Sequence, residues 1–125
     1  MKEPSRIYES WDIVVVPFPF TEKLGEKRRP AMVVSQRLFN KNGHTVLAMI
    51  TTQSHTPWPG DTFIQTGTFT GLPAACLVRL KLFTLDNRLI LKKIGMLSLS
   101  DRKNVVASFY RYMPFEKEKM TPFSP

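Results

Sequence analysis

Residues 12–35 read DIVVVPFPFTEKLGEKRRPAMVVS, and this stretch decides the fold. Its two ends, DIVVVP at 12–17 and AMVVS at 31–35, are short runs rich in valine and isoleucine, which is typical of β-strands. Between them lie prolines, a glycine and several charges, which predict an exposed loop. The stretch therefore predicts two strands joined by a long loop that closes on Lys27, Arg28 and Arg29 just before the second strand.

The sequence after this stretch predicts more short strands and turns. NKNG at 40–43 predicts a turn, and a third strand at 45–51 should run antiparallel to the second. SHTPWPG at 54–60 predicts a loop, because prolines are excluded from central strands. Further strands are expected around 62–65, at AACLVRL (74–80) and at 88–94. Since no helix-length segment separates these strands, we predict a mainly β fold, a small curled antiparallel barrel.

One helix is predicted near the C-terminus. Ser98 and Asp101 have the spacing of a helix N-cap, in which the serine hydroxyl accepts a backbone N–H and an acid faces the first turn. An apolar stripe at three- and four-residue intervals follows, formed by Val105, Val106, Phe109 and Tyr112 or Met113. We expect this helix to dock on the sheet and to end near Pro114. Residues 1–113 are therefore predicted to form one domain, and residues 114–125 a flexible tail.

Composition narrows the possible functions. The chain has 125 residues, a formal net charge of +8 and a single cysteine, Cys76. One cysteine excludes an intrachain disulfide and favours the reducing cytoplasm, and its apolar surroundings predict a buried, inert thiol. No stretch approaches the ~20 apolar residues that a transmembrane helix needs, so no membrane association is expected. The positive charge favours a polyanionic partner, either nucleic acid or an acidic protein.

The usual enzyme motifs are missing from the sequence. There is no phosphate-binding glycine loop, and His44 and His55 are too few to predict a zinc site, so neither a metal nor another cofactor is expected. Basic and hydroxyl residues remain at the predicted strand ends. Lys27, Arg28 and Arg29 could grip a phosphate or form a solvated loop. The TTQ of residues 51–53 could likewise be a site or a polar strand end.

Taken together, these segments resemble the MazF/PemK family. WDIVVVPFPFTEKLGEKRRPAMVVS is similar to the family's N-terminal pattern, ITTQS at 50–54 to its second signature, and CLVRLKLFTLD at 76–86 to its third. The resemblance implies an SH3-like barrel with a C-terminal helix that pairs as a homodimer. It also implies a toxin that cleaves single-stranded RNA without a metal. The implied protein partner is an antitoxin whose acidic segment covers the basic groove.

The resemblance also assigns roles to individual residues. Arg29, which precedes Pro30, matches the family's catalytic arginine, Thr51 its catalytic threonine, and Arg79 a basic residue that some members use at the scissile phosphate. Arginine can neutralise the charge that develops on phosphorus when the 2′-hydroxyl attacks it. The residues expected to contact RNA are Lys27, Arg28, Thr52, Gln53, His55, Trp58 and Lys81.

Two departures from the family pattern leave alternatives open. Lys81 occupies a position where an acid is common, and Arg28 one where histidine is frequent. His55 could replace them in proton transfer or be an idle loop histidine. Trp58 could stack on an RNA base or plug the end of the barrel. Besides a nuclease, the sequence therefore permits a member that binds RNA or an acidic protein without cleaving. An SH3-like adaptor fits less well, because TTQ and RRP are not the aromatic lining of a peptide groove.

Overall fold

The computed structural model describes residues 6–18, 27–52, 56–65 and 67–115. Within these residues, six strands form one antiparallel sheet in the order β4-β5-β3-β2-β1-β6. The strands are β1 (Asp12–Phe18), β2 (Lys27–Val33), β3 (His44–Thr52), β4 (Thr62–Phe63), β5 (Cys76–Asp86) and β6 (Lys92–Met96), and the helices are α1 (Arg37–Asn40) and α2 (Leu99–Tyr112). The sheet curls into a half-barrel, which confirms the predicted SH3-like antiparallel barrel with a C-terminal helix.

Both faces of the sheet are covered by apolar side chains. One face carries the helix-side core, which includes Ile13, Met32, Ala48, Ile50, Val78 and, from α2, Val105. The other face carries the second core, which includes Val14, Val16, Ala31, Val33, Leu47 and Leu85. Side chains alternate between faces along a strand, so a strand buried on both faces has no polar positions. This explains why the apolar run at the start of the 12–35 stretch is unbroken.

The second strand begins earlier than the sequence predicted. Lys27, Arg28 and Arg29 belong to β2, where they pair with Phe18, Pro17 and Val16 of β1, and they do not belong to the preceding loop. Their side chains are exposed, so no hydrophobic pattern marks them as strand. Backbone pairing with β1 extends the strand past the end of the core.

Strand β5 carries an irregularity next to its centre. Its register with β3 shifts between Ala48, which pairs with Leu82, and Met49, which pairs with Arg79. The two residues between them, Leu80 and Lys81, are extra relative to β3. Such bulges increase the local twist and re-aim neighbouring side chains. The part of β5 that precedes the bulge, Cys76 to Arg79, therefore has its own register against the end of β3.

The predicted helix and its cap are confirmed. Helix α2 begins at Leu99, and the Ser98 hydroxyl accepts a hydrogen bond from the Asp101 backbone N–H at 3.0 Å. The Asp101 carboxylate also accepts the Gln65 N–H at 3.0 Å, which ties the helix to the segment after β4. Val105 and Phe109 pack on the helix-side core, whereas Tyr112 is exposed. Residues 116–125 of the predicted tail lie outside the described residues.

Cys76 is buried in the helix-side core, as predicted, and burial raises the pKa of its thiol. A raised pKa keeps the sulfur protonated at neutral pH, and the thiol form is a poor nucleophile. No helix in the described parts of the chain is long and apolar enough to cross a membrane.

The crossing of β6 with the segment before β5 gives a testable prediction of stability. A Cβ added at Gly95 would lie 2.2 Å from the carbonyl oxygen of Phe69, a backbone atom that cannot turn away. We expect Gly95→Ala to lower the free energy of unfolding by about 1–3 kcal/mol, the usual range for overpacking. Gly67→Ala is the control, because its new Cβ would meet only the ring of Phe69, which is exposed and free to rotate. Equal melting temperatures for the two variants would contradict the tight crossing.

Candidate functional site

Two polar residues that are distant in sequence, Arg29 and Thr51, lie at the same edge of the sheet, where the pairing of β2 with β3 ends. The pairing of β2 with β3 runs through Val33–Leu47, Met32–Ala48 and Ala31–Met49. Counting two residues further along each strand, the same register brings Arg29 and Thr51 to matching positions. Among the described residues, the hydrogen-bonded pairing of the two strands ends at Ala31–Met49, so Arg29 and Thr51 lie beyond the last paired residues.

Arg79 lies on the same face of the sheet as this pair. It is the partner of Met49 on β5, and Thr51 pairs with Leu77 two residues away. Residues two apart on a strand share a face, so Thr51, Met49 and Arg79 point the same way. Arg29 shares that face through Ala31. The three residues assigned to catalysis by the family resemblance therefore come from three adjacent strands onto one face.

The three residues differ in exposure and in ion pairing. Arg29 is exposed, Thr51 is half-buried, and Arg79 is buried with only 8% of its surface accessible. The ion pairs within the described residues join Arg79 to Asp61, Arg88 to Asp86 and Lys93 to Asp12. Arg29 takes part in none of them. Its positive charge is therefore uncompensated at the open edge of the sheet, where an anion could reach it.

The guanidinium of Arg79 is held by the carboxylate of Asp61, the residue immediately before β4. Its Nε donates to Asp61 Oδ1 at 3.0 Å and its NH2 group donates to Asp61 Oδ2 at 2.9 Å. The NH2 group also donates to the carbonyl oxygen of Thr56 at 2.9 Å. The hydrogen bond with Asp61 raises the pKa of Arg79 and outweighs the opposing effect of burial. Two parallel bonds of this kind fix both the position and the plane of a guanidinium.

Trp58 lies against the same part of β5. Its backbone N–H donates to Asp61 Oδ2 at 2.9 Å, and its indole Nε1 donates to the Leu80 carbonyl at 3.2 Å. The ammonium of Lys81 lies 4.5 Å from the centre of the indole ring, and the Arg79 guanidinium lies 5.8 Å from it. The indole is 40% exposed. Trp58 is therefore a partly open aromatic surface beside two cations.

A glycine allows this loop to lie close to β5. Gly60 has a φ of +84°, a conformation that residues with a Cβ rarely adopt. A Cβ at this position would lie 2.4 Å from Cδ1 of Leu80. The proline–glycine pair in the loop thus brings Asp61 within reach of Arg79.

The other residues predicted to contact RNA are distributed as follows. Lys27 and Arg28 are exposed in β2, and Arg28 points to the face opposite that of Arg29, because neighbouring residues alternate. Thr52 ends β3 and is exposed. Lys81 is exposed in the bulge of β5. Gln53 and His55 lie outside the described residues.

The sequence did not predict Asp61. The β4 to β5 register runs through Thr62–Val78 and Phe63–Leu77, so one more step puts Asp61 opposite Arg79. No spacing in the sequence shows this, because β4 has only two residues and the pairing is set by tertiary structure. The nearest signal is the turn sequence PGD immediately before the predicted short strand.

A separate groove runs along α2. It has a volume of about 1130 Å³ and is lined by Leu99, Arg102, Lys103, Tyr110 and Arg111, among others. It lies on a different element from the edge that carries Arg29 and Thr51. Among the side chains that the structure describes, no three of the His, Cys, Asp or Glu type come together.

Comparison with known proteins gives a family match over most of the chain. A family model described as "PemK-like, MazF-like toxin of type II toxin-antitoxin system" matches residues 9–112. A comparison with curated proteins finds no match.

Solved structures share the fold at low sequence identity. The chain is similar to MazF from Deinococcus radiodurans, with a TM-score of 0.69, 15% identity, and coverage of 88% of this chain and 99% of that one. An endoribonuclease in complex with its cognate antitoxin, from a mycobacterial species, gives a TM-score of 0.64 at 14% identity, covering 84% and 91% of the two chains. The Mycobacterium tuberculosis toxin MazF-mt6 gives a TM-score of 0.62 at 17% identity, and the match covers 80% of this chain and 93% of that one.

Proposed function

This chain belongs to the PemK-like, MazF-like family of toxins of type II toxin–antitoxin systems, and from this membership we propose that it is an endoribonuclease that cleaves single-stranded RNA without a metal ion. The observation that carries the proposal is that the strand registers put the side chains of Arg29, Thr51 and Arg79 on one face of the sheet. These three side chains form a row of hydrogen-bond donors, and a ribose-phosphate strand that lies across the edge of the sheet would contact all three.

The proposed reaction uses the RNA as its own nucleophile. The 2′-hydroxyl oxygen forms a bond to the adjacent phosphorus while the bond from phosphorus to the 5′-oxygen breaks. The products are a 2′,3′-cyclic phosphate and a 5′-hydroxyl. The protein must hold the attacking oxygen in line and stabilise the extra negative charge on the phosphoryl oxygens.

Each residue of the row has a part in this scheme. Arg29 neutralises the developing charge on the phosphorane, and its exposure and lack of an ion pair within the described residues support this role. The Thr51 hydroxyl bonds a non-bridging oxygen or holds Arg29 in place. Arg79 supplies further N–H groups. An arginine stays protonated at neutral pH, so the roles of Arg29 and Arg79 are electrostatic rather than acid–base.

The residues around the row contact the rest of the RNA strand. Lys27 and Lys81 attract the phosphates, Arg28 adds positive charge from the opposite face of the sheet, and Thr52 bonds the RNA where β3 ends. Trp58 stacks on an unpaired base, a role that its 40% exposure supports. Gln53 and His55, outside the described residues, are assigned to the same surface.

We further propose that the toxin acts in the cytoplasm as a homodimer and is neutralised by an antitoxin. Two of the structural neighbours are an endoribonuclease in complex with its cognate antitoxin, from a mycobacterial species, and a MazE–MazF complex from Deinococcus radiodurans. An acidic segment of the antitoxin would cover the exposed cations at the end of β2. Ordering such a segment on binding would block access of RNA.

A second function is that of a family member that binds RNA or an acidic protein without cleaving it. Lys81 favours this alternative, since it stands where an acid is common in the family pattern. The pairing of Arg79 with Asp61 favours it too, because the carboxylate compensates the charge of that guanidinium.

One experiment separates the two functions. Purified protein in EDTA is expected to cut single-stranded RNA and to leave a 2′,3′-cyclic phosphate, which is identified by mass spectrometry. The same oligonucleotide with one 2′-deoxy sugar at the cut should bind and survive. Binding of both without any cutting would favour the non-cleaving member, and equal cutting of both would exclude the 2′-hydroxyl as nucleophile.

A further inference from the structure

A single carboxylate organises the loop, the aromatic residue and the buried arginine of this edge. Asp61 accepts three hydrogen bonds from two residues: Oδ1 accepts from Nε of Arg79, and Oδ2 accepts from the NH2 group of Arg79 and from the backbone N–H of Trp58. These contacts measure 2.9 to 3.0 Å. The position of Trp58 on β5 and the orientation of Arg79 therefore depend on the same side chain.

The contacts of Arg79 leave one end of its guanidinium unused. Nε and NH2 are engaged by Asp61 and by the Thr56 carbonyl. Within the described residues the NH1 group makes no hydrogen bond, so both of its N–H groups are available to an acceptor. A guanidinium fixed on one side and open on the other is a preorganised donor, which loses little conformational freedom when it binds a phosphate.

We propose that Asp61 is a positioning residue of the RNA site: its carboxylate fixes Arg79 and seats Trp58, so that the NH1 group of Arg79 and the exposed indole act on the same RNA strand. This inference rests on the proposed function for its substrate. It assigns Asp61 no contact with RNA, since a carboxylate repels phosphate, and Asp61 acts through its two partners.

Because Asp61 is negatively charged, an experiment can separate its positioning role from its electrostatic effect on RNA binding. Replacing Asp61 by asparagine removes one negative charge and so raises the net charge of the protein by one, and a more positive protein binds a polyanion more tightly. The same change removes one of the two acceptor oxygens and turns an amide NH2 towards the guanidinium, which itself only donates. Binding and turnover should therefore move in opposite directions.

The test is the effect of Asp61→Asn on kcat and KM for cleavage of a single-stranded RNA. We expect kcat to fall about 10- to 100-fold, the usual cost of a misplaced catalytic group, while KM stays the same or falls. Asp86→Asn is the matched control. Asp86 holds Arg88 through the same two bonds, at 3.1 and 2.8 Å, at the far end of β5. The Asp86→Asn substitution changes the net charge by the same amount and should leave kcat unchanged.

A purely structural role for Asp61 would give a different result. In that case, Asp61→Asn would lower the melting temperature and the amount of folded enzyme, and the kcat of the folded fraction would not change. The rates are therefore measured well below the melting temperature of each variant and normalised to folded protein. Asp61→Glu restores the charge and both oxygens and is expected to recover part of kcat. An unchanged kcat in folded Asp61→Asn would overturn the proposal.

A second readout does not require cleavage. The chain has two tryptophans, so two indole N–H signals are expected by NMR, and Trp58→Phe identifies the one from Trp58. A 2′-deoxy-substituted RNA should shift this signal in the wild-type protein and in Asp86→Asn but not in Asp61→Asn. If the wild-type protein binds this RNA but never cleaves RNA, the proposed nuclease activity is excluded. The indole signals of the variants still show whether Asp61 positions Trp58. Equal shifts in all three proteins would overturn the proposal, as would no shift in any.

Discussion

Replacement of Arg29 by alanine is expected to lower the kcat for RNA cleavage by about 100- to 1000-fold, the range seen when one donor to a developing oxyanion is removed. The side chain is exposed and belongs to neither core, so the fold should survive the change. The loss arises because the phosphorane charge then has no uncompensated cation at this position. Cleavage of a single-stranded RNA under single-turnover conditions measures the effect, and growth arrest on expression should disappear with it.

Two further variants test whether the expected loss of kcat depends on the position of Arg29 or only on its charge. Arg88→Ala removes the same charge from an exposed arginine at the far end of the sheet and should leave kcat unchanged. Arg28→Ala removes a neighbouring charge from the opposite face and should mainly raise KM. If Arg28→Ala lowered kcat as much as Arg29→Ala, the register that puts Arg29 on the face of Thr51 and Arg79 would be wrong for the RNA complex.

Much of the fold was predictable because its signals are local. The valine-rich run of β1 and the Ser98 cap of α2 are patterns within a few residues, and both have the predicted structure. The start of β2 was not predictable, since Lys27 to Arg29 are strand residues without an apolar pattern. Pairing with β1 fixes them, and pairing is a long-range interaction that local propensity does not report.

The candidate site was only partly predictable, for the same reason. Arg29, Thr51 and Arg79 were identified by resemblance to family motifs, and the strand registers put them on one face of the sheet. Asp61 carries no motif, and its link to Arg79 depends on a two-residue strand and on the register of β5 before the bulge. Neither can be derived from spacing along the chain.

The acid at Asp61 also changes how Lys81 is interpreted. In the sequence, Lys81 stands where an acid is common in the family pattern, which suggested a missing group for proton transfer. In the structure, Arg79 has a carboxylate partner, Asp61, which ends the loop before β4. Lys81 instead lies over the ring of Trp58 at 4.5 Å. A lysine at this position therefore does not leave Arg79 without an acid, although it supplies no base for the reaction.

Thr51→Val is expected to lower kcat about 10- to 100-fold, because it removes a hydroxyl beside the scissile phosphate and keeps the branched shape of the side chain. Strand β3 should tolerate the change, since valine has a high β-propensity. Thr84→Val is the control, an exposed threonine further along β5 that pairs with Val46 and lies away from this edge. It should have no effect on cleavage or on KM.

The double variant Arg29→Ala/Thr51→Val tests whether the two side chains act as a unit. If Thr51 works by holding Arg29 or by sharing one phosphoryl oxygen with it, the double variant should be no slower than Arg29→Ala alone, because coupled residues are strongly non-additive. Independent contacts to different parts of the RNA would instead multiply the two losses. Multiplied losses would mean that the alignment of positions 29 and 51 across neighbouring strands does not create one catalytic centre, even though each residue contributes to cleavage.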